Sequence, residues 1–471
     1  MAAESEIRSR YEAAGQGHVL KHFAELNQED KDSLLKQLDA IKVEGIASLL
    51  ESALKDQQNV LGVEIQPFSN TVGRSADMEE TTASTAIGIE AISRGQVAAV
   101  VLAGGQGTRL GFEGPKGMYD IGLPSGRTLF QLMSERIDRL RHLAANTVSD
   151  DDASSLPFYI MTSPINHDPT VAFFEDNQYF RLPSADVCFF PQGMLPCLTE
   201  DGKIIMETAS SVAMAPDGNG GIYPSLQQSG MLDDMTRRGV KYLHVFSIDN
   251  ALTKPADPNF VGYCISEQAD CGNKVVWKAN AHEKVGVIAE KAGKPCVVEY
   301  SDITTEMAEA TDDDGRLVFG AGNICNHFYT LDFLRDVVVP RLGKMYHVAR
   351  KKIAYYDEGT KSTVAPTCNN GIKLESFIFD VFPLSQKMAV LDVQRTEEFA
   401  PVKNARGSPS DSPDTARELI SKLAQKWVVD AGGTLAGNLE SACEVAPLTS
   451  YCGEGLETLA KKKEIECPFS L

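Results

Sequence analysis

The sequence predicts an α/β protein built on a mixed, largely parallel sheet, with a helical part before it and a small unit after it. Three observations carry that prediction. The run Val97-Ala98-Ala99-Val100-Val101-Leu102 is apolar throughout and rich in valine, the pattern of a strand covered on both faces. Strand-like and helix-like runs then alternate: Phe158 to Ser163, Val171 to Phe174 within a helix, and Val187 to Phe190. Finally, Tyr242 to Ile248 reads as another buried strand that ends in Asp249, and open α/β sheets bind ligands at the carboxyl ends of their strands.

Taken in order, residues 1 to about 60 read as helices. Leu20, Phe23 and Leu26 recur at helical spacing, as do Leu34, Leu35, Leu38 and Ile41, with Asn27 to Asp30 supplying a turn and an N-cap. His18 and His22 lie one helical turn apart, but no third ligand accompanies them, so solvated or packed histidines are expected. Residues 61 to 95, with Pro67-Phe68-Ser69-Asn70 and the polar run Ser75 to Thr82, read as a connection draped over the next part. After Val97 to Leu102 and the glycines that follow it, Thr128 is placed to cap a helix, with Gln131 set for a capping box. Leu129, Met133, Ile137, Leu140 and Ala144 form that helix's buried stripe.

Asp201-Gly202 between apolar flanks reads as a hairpin tip. Lys274 to Trp277, Val285 to Ile288 and Cys296 to Tyr300 suggest antiparallel strands, a lid or sub-sheet beside the main one. Gly320 to Ile324 precede an apolar segment, and Phe333 to Val339 continue as helix. Ala405 to Pro413, rich in Ser and Pro, reads as a mobile linker, and a helix from about Thr415 to Trp427 opens the C-terminal unit.

Composition limits the function. The chain has 471 residues and a formal net charge of -20. Nucleic acid and anionic membranes both require basic patches, so neither is an expected partner. The N-terminal stretch lacks the apolar core of a secretory signal, and no run approaches bilayer-spanning length. Ten scattered cysteines with no C-x-x-C pair read as reduced thiols. A cytoplasmic location is expected. The final Pro-Phe-Ser-Leu shares only its last residue with a peroxisomal signal.

The chemistry concentrates in a few loops. Gly104, Gly105 and Gly107 follow the first buried strand, then Thr108-Arg109, with Lys116 just beyond. Glycines bring backbone N–H groups close to a ligand, and such clusters suit anionic oxygens. Arg109 offers a fork of donors that can hold a phosphate at two points, and Lys116 adds a point charge. The pattern suggests a polyphosphate site, yet it is neither a Walker A loop nor a clean dinucleotide fingerprint. A tight turn with surface charges is the competing reading. Gln192, leaving a strand in Phe189 to Pro196, carries the donor and acceptor that match a pyrimidine edge, and it looks buried. The loop Ala215 to Gly221 is too rich in glycine for a helix or strand interior. Asp249 near phosphates would suit Mg²⁺, which is commonly held by one or two carboxylates plus phosphate oxygens. An Asp that caps the next turn is the alternative. Lys373 and Lys403, taken singly, read as surface charges.

These residues occur in an ordered set of motifs: L-A-G-G-Q-G-T-R-L-G with P-K-G-M-Y-D, F-F-P-Q-G-M-L-P, M-A-P-D-G-N-G-G, Asp249-Asn250, G-N-I-C-N-H-F and N-G-I-K-L-E-S-F-I-F-D. Together they resemble the eukaryotic UDP-N-acetylglucosamine (UDP-N-acetylhexosamine) pyrophosphorylases, from about Gly15 to Trp427. The resemblance implies a Rossmann-like nucleotidyltransferase core at 96–400, between an N-terminal helical domain and connection at 1–95 and a C-terminal domain at 401–471. It implies a reaction of UTP with N-acetylglucosamine 1-phosphate that yields UDP-N-acetylglucosamine and pyrophosphate, with Mg²⁺ or Mn²⁺ as cofactor.

Leu102, Ala103, Gly104, Gly105, Lys116, Gln192, Gly218 and Asp249 match that family's uridine-nucleotide positions. Asn219, Glu299, Tyr300, Asn323, Phe377, Ile378 and Phe379 match positions that hold the sugar phosphate, and Lys373 and Lys403 match lysines that reach phosphates. Arg109, Lys116, Asp249 and Lys373 are the expected catalytic set, with Asp249 as metal ligand. Pro224 after Tyr223, and Ala281, depart from the family's pattern and bear on local loop geometry. Other sugar phosphates, and a nucleotide-binding regulator without turnover, stay open as alternatives. So does the oligomeric state, with a monomer slightly favoured.

Overall fold

A computed structural model describes residues 4–59, 64–69, 72–146, 155–342 and 345–471. Asn70, part of the turn read at 67–70, lies outside them. The chain divides into two compact units, each assembled from three stretches: 1–64, 192–225 and 339–380 in the smaller, and 65–191, 226–338 and 381–471 in the larger.

The larger unit is built on an eleven-stranded sheet. Its main path runs Val72–Arg74, Met388–Asp392, Cys271–Trp277, Ala321–Thr330, Tyr242–Ser247, Val97–Leu102, Phe158–Thr162 and Val187–Pro191. Ala321–Thr330 runs antiparallel to both of its neighbours, and every other pairing on this path is parallel. The expected mixed, largely parallel sheet is therefore present. All six residues of Val97–Leu102 are buried, as an apolar run in the middle of such a sheet requires. Lys274 to Trp277 do not form a separate sub-sheet; they lie in the main sheet between Ala321–Thr330 and Met388–Asp392. The hairpin Val287–Lys291/Lys294–Val298 does branch off beside it, joined by the single pair Val287–Gly322 and flanked by Ile65–Pro67.

The helix Leu129–Ala145 packs its predicted stripe into the core, with Leu129, Met133, Ile137, Leu140 and Ala144 all buried. Thr128 Oγ1 accepts from the Gln131 amide at 3.3 Å. The Gln131 side chain turns to Glu135 instead, at 2.8 Å, so the cap is one-sided. The connection expected at 61–95 is instead two short strands and a sixteen-residue helix, Met78–Ser93, capped by Asp77 at the amides of Glu79 and Glu80. Phe333–Val338 continues Ala321–Thr330 as a π-helical turn. The segment 405–413 is tied down, not a free linker. The Lys403 and Asn404 amides donate to Asp411 O, and the Gly407 amide donates to the Asp414 carboxylate. The helix Pro413–Asp430 follows, and its far end packs in a small C-terminal cluster with Cys443, Leu456 and Cys467.

In the smaller unit, the helices Glu4–Ala13, Gln28–Ala40 and Val43–Asn59 cover a set of short hairpins. Leu34 and Leu38 lie on the helix capped by Asn27, as their spacing indicates. Leu20 and Phe23, by contrast, sit on two short 3-10 turns, Gly17–Leu20 and Phe23–Glu25. These residues share a core with Leu198, Ile204, Val212, Ile372 and Leu374. Asp201-Gly202 is the tip of a turn closed by Thr199 and Lys203, as expected. His18 bonds the Ile204 carbonyl at 2.8 Å and His22 stacks edge-on against Tyr356, so both histidines are packing groups.

Candidate active site

In the larger unit the order of the strands creates the site. From Val97–Leu102 the chain moves outward to Phe158–Thr162 and Val187–Pro191, and it later returns to the opposite side of Val97–Leu102 as Tyr242–Ser247. At such a reversal, neighbouring parallel strands send their loops apart and leave a crevice at their carboxyl ends. Leu102 and Ser247 are register partners, so the glycine loop and Asp249 emerge side by side.

The glycine loop folds back on itself. The Gly107 amide donates to Gly114 O at 2.9 Å, and the Lys116 amide donates to Gly105 O at 3.0 Å. Asn166, buried at 1% exposure, donates from Nδ2 to the carbonyls of Gly104 and Gly105 at 2.9 and 3.0 Å. Those carbonyls are thereby held by the protein. Among the described residues the N–H groups of Gly104 and Gly105 have no protein acceptor, which leaves them for anionic oxygens. The position a Cβ would take at Gly105 is open.

Charge collects beside this loop. Lys116 is half-buried and donates to Val402 O at 3.3 Å. Burial pushes its pKa down, and the charges of Lys403 and Arg109 add to that while Asp249 opposes it. Arg109 is exposed, and among the described residues it has no ion-pair partner. The half-buried Asp249 carboxylate takes no protein hydrogen bond among the described residues, so it does not cap the following turn. Its backbone carbonyl accepts from the Val402 amide at 2.7 Å, which draws the Lys403 segment to the strand end.

Lys403 is exposed, and its charge is felt at Lys116, Glu299 and Cys325. Burial raises the Glu299 pKa, Asp302 adds to the effect, and Lys403 counters it. Asn323 spends its side-chain oxygen on the Cys325 amide at 3.0 Å. Tyr300 is half exposed. The structure thus brings Leu102 to Gly105, Lys116, Asp249 and Lys403 together, with Glu299 and Asn323 in adjoining positions.

The smaller unit carries the remaining candidates. Gln192 is half-buried, not buried as its surroundings suggested; its Nε2 donates to Gly218 O at 3.1 Å. Gly218 has φ 88° and ψ 174°, a backbone region that only glycine occupies readily. Its neighbours press against the end of the strand Gly371–Glu375: the Gly220 amide donates to Ser376 O at 2.9 Å, and the Ile378 amide donates to Asn219 Oδ1 at 2.9 Å. Gly218, Asn219, Lys373 and Phe377 line one cavity of about 320 Å³. Phe377 and Phe379 stack with centroids 5.1 Å apart, whereas Ile378 is turned into the core at 1% exposure. A larger cavity of about 620 Å³ in this unit, near His18, His22, Tyr355 and Tyr356, holds none of the expected residues. Volume alone does not mark the chemistry.

The comparisons with known proteins agree with this geometry. A family model described as UTP–glucose-1-phosphate uridylyltransferase matches residues 20–451. The chain belongs to this family. It is 42% identical over 499 residues to human UDP-N-acetylhexosamine pyrophosphorylase-like protein 1, covering 100% of this chain and 97% of that protein. It is 39% identical to the Saccharomyces cerevisiae UDP-N-acetylglucosamine pyrophosphorylase, over 97% of this chain and 98% of the relative. The crystal structure of the Trypanosoma brucei uridine diphosphate N-acetylglucosamine pyrophosphorylase in complex with inhibitor superposes with a TM-score of 0.86 at 30% identity, covering 98% of this chain and 95% of that one.

The sequence reading did not single out Asn166, Asp217 and Ser376, whose hydrogen bonds hold these loops. Asn166 anchors the glycine loop from 61 and 62 residues away. Asp217 and Ser376 bind each other through the Asp217 carbonyl, which accepts from the Ser376 amide at 2.8 Å and its hydroxyl at 3.0 Å. Asp217 and Ser376 lay inside quoted motifs; nothing local pointed to Asn166. Among the described residues no group of three or more His, Cys, Asp or Glu side chains could cage a metal. No helix of the described residues is long and apolar enough to cross a membrane.

Proposed function

We propose that the chain is a uridylyltransferase that joins UTP to N-acetylglucosamine 1-phosphate, giving UDP-N-acetylglucosamine and pyrophosphate. The names of its full-length relatives support the sugar. The observation that carries the reaction type is the strand-end arrangement: two glycine amides and a carboxylate side by side, none with a protein partner among the described residues, with Arg109, Lys116 and Lys403 around them.

A sugar 1-phosphate loses its second proton at a pKa of about 6, so it already is an oxyanion at neutral pH. No general base is required. One of its oxygens attacks the UTP α-phosphorus in line, the bond from that phosphorus to the bridging oxygen breaks, and pyrophosphate departs with the electron pair. The protein's work is alignment and charge stabilisation. In this reading Arg109, Lys116 and the amides of Gly104 and Gly105 hold the β- and γ-phosphates and stabilise the leaving group, with Leu102 and Ala103 beneath the nucleotide. Lys403 adds charge at the phosphates. Glu299, Tyr300 and Asn323 hold the sugar hydroxyls. Gln192 and Gly218 are assigned to uracil, Lys373 to the sugar phosphate, and Asn219 with Phe377, Ile378 and Phe379 to the sugar. The catalytic part is 96–400, with 401–471 contributing Lys403.

A carboxylate with no protein partner among the described residues fits Mg²⁺, which is held by one or two carboxylates together with phosphate oxygens; Mn²⁺ is equally compatible. Asp249 would hold it. When bound, the ion withdraws charge from the nucleotide phosphates.

Exchange of labelled pyrophosphate into UTP tests this mechanism. Direct displacement predicts exchange only when sugar 1-phosphate or UDP-sugar is present. Exchange with UTP alone would mean a uridylyl-enzyme and a different mechanism.

A further inference from the structure

We propose that Lys274, Glu398 and Asn250 are positioning residues that hold Asp249 and the Lys403 segment in register; the inference rests on the reading of Asp249 as the metal-holding carboxylate. Lys274 projects from the strand Cys271–Trp277 at a β-bulge, where its register against Ala321–Thr330 shifts between Asn273 and Val275. Bulges re-aim side chains. The ammonium is completely buried and lies between the carboxylates of Asp257 and Glu398. Lys254 reaches the other Glu398 oxygen at 3.3 Å, so two cations face two anions. Burial works against the Asp257 charge, yet Lys274 and Lys254 hold its pKa below the ordinary value. Asp257 also caps the helix Pro258–Ser266, and its amide donates to His244 Nδ1 at 3.3 Å, which leaves Nε2 to carry the proton toward Asn326. His244 stays neutral, its pKa pushed down to about 3 by burial and then by Lys274.

From this cluster the contacts run to the site. Asn250, at 2% exposure, donates from Nδ2 to the Glu398 carbonyl at 2.7 Å. Its Oδ1 accepts from the amides of Ala400 at 2.8 Å and Leu252 at 3.2 Å. The Ala251 amide donates to Ala400 O at 3.0 Å, and the Val402 amide donates to Asp249 O at 2.7 Å. Val402 O in turn accepts from Lys116. Thus the residue after Asp249 and the segment before Lys403 are stitched together, and Glu398, which begins that segment, is pinned by the buried lysine. A buried ion pair is rarely the most stable filling for such a space, since desolvation is costly. Its directional contacts do fix one arrangement of Glu398, which an apolar side chain would not do.

The test compares Glu398→Gln and Asn250→Ala with the wild-type chain. Glu398→Gln removes one charge of the cluster, and Asn250→Ala cuts the link to the strand end without changing charge. Two readouts are independent of how much protein is folded. The first is the Mg²⁺ concentration that half-saturates turnover. The second is amide hydrogen exchange in peptides containing Ala251 and Val402, with the helix Leu129–Ala145 as internal reference. Each variant is expected to raise half-saturating Mg²⁺ several-fold, and to speed exchange at Ala251 and Val402 about tenfold with the reference unchanged. A variant that lowers thermal stability but keeps wild-type Mg²⁺ dependence and wild-type exchange at those amides would overturn the proposal. Should Glu398→Gln fail to fold, Asn250→Ala decides alone. Asp249→Asn separates the two levels. If it too leaves the Mg²⁺ dependence unchanged, the metal reading falls; if it alone changes that dependence, only the positioning role falls.

Discussion

Gly218→Ala is the substitution whose cost the structure defines most closely. A methyl group at Gly218 would stand 2.2 Å from the Ser376 carbonyl oxygen and 2.8 Å from its nitrogen. Both atoms are backbone and both are already engaged: Ser376 N with Asp217 O at 2.8 Å, and Ser376 O with the Gly220 amide at 2.9 Å. Neither can yield without giving up a bond. The backbone region itself, at φ 88° and ψ 174°, costs a non-glycine residue about 1–3 kcal/mol. One or two lost hydrogen bonds add about 1 kcal/mol each, so the local cost is about 2–5 kcal/mol. It falls on the loop that carries Asn219 and abuts Phe377, and it is expected to appear chiefly as lost turnover, about 10²–10³ in kcat/KM. Pyrophosphate release under steady-state conditions, with a thermal melt alongside, measures both effects. Gly230→Ala is the control: φ is 74° and a methyl group there meets nothing within 4 Å, so only the backbone cost of about 1–2 kcal/mol applies and turnover stays intact. A Gly218→Ala protein within threefold of wild-type kcat/KM would refute the reasoning.

Other substitutions separate the roles. Arg109→Ala removes a cation with no protein partner among the described residues, so stability should hold while kcat falls about 10²–10³; a folded variant with wild-type kcat would strip Arg109 of its role. Burial lifts the Asp217 pKa to about 6, so the folded state favours its protonated form, and stability declines between about pH 4 and pH 6 and remains lower above. Asp217→Asn should therefore gain up to about 3 kcal/mol at pH 7.5 and nothing at pH 4, as read from denaturant melts; an equal gain at both values would contradict the titration. Thr128→Ala should cost about 1 kcal/mol of stability, seen in the same melts, with kcat unchanged, because only the cap of Leu129–Ala145 is lost.

Contiguous features were legible in the chain. Six consecutive apolar residues identified Val97–Leu102, the helical stripe identified Leu129–Ala145, and a carboxylate after an apolar run located Asp249 at a strand end. The helix Met78–Ser93 was not legible, because its polar start is its capped first turn and its buried face is, apart from Ile92, made of the small residues Ser84, Gly88 and Ala91. Gly88 there packs so closely that a Cβ would meet Pro258 O at 1.9 Å, and Gly262 approaches Ser84 in the same way. Hydrophobic periodicity does not register a face built for backbone contact. Apolar content also says nothing about which strand lies beside which, so Lys274 to Trp277 reads as part of a sub-sheet although it lies in the main sheet. Asn166 and Glu398 act across separations of about 60 to 150 residues and leave no local pattern, and Asn250, although it stands in the motif Asp249-Asn250, shows nothing there of its bond to Glu398. The Ser/Pro composition of 405–413 indicated a linker, but the hydrogen bonds to Asp411 and Asp414 close it.

The most direct measurement is pyrophosphate release from UTP and Mg²⁺ with N-acetylglucosamine 1-phosphate and glucose 1-phosphate compared side by side. A clear preference in kcat/KM for the N-acetyl sugar is the predicted result. Equal or reversed rates would keep the displacement chemistry and make the chain a glucose-specific or broad UDP-sugar pyrophosphorylase; no release with either sugar would contradict the account at its root.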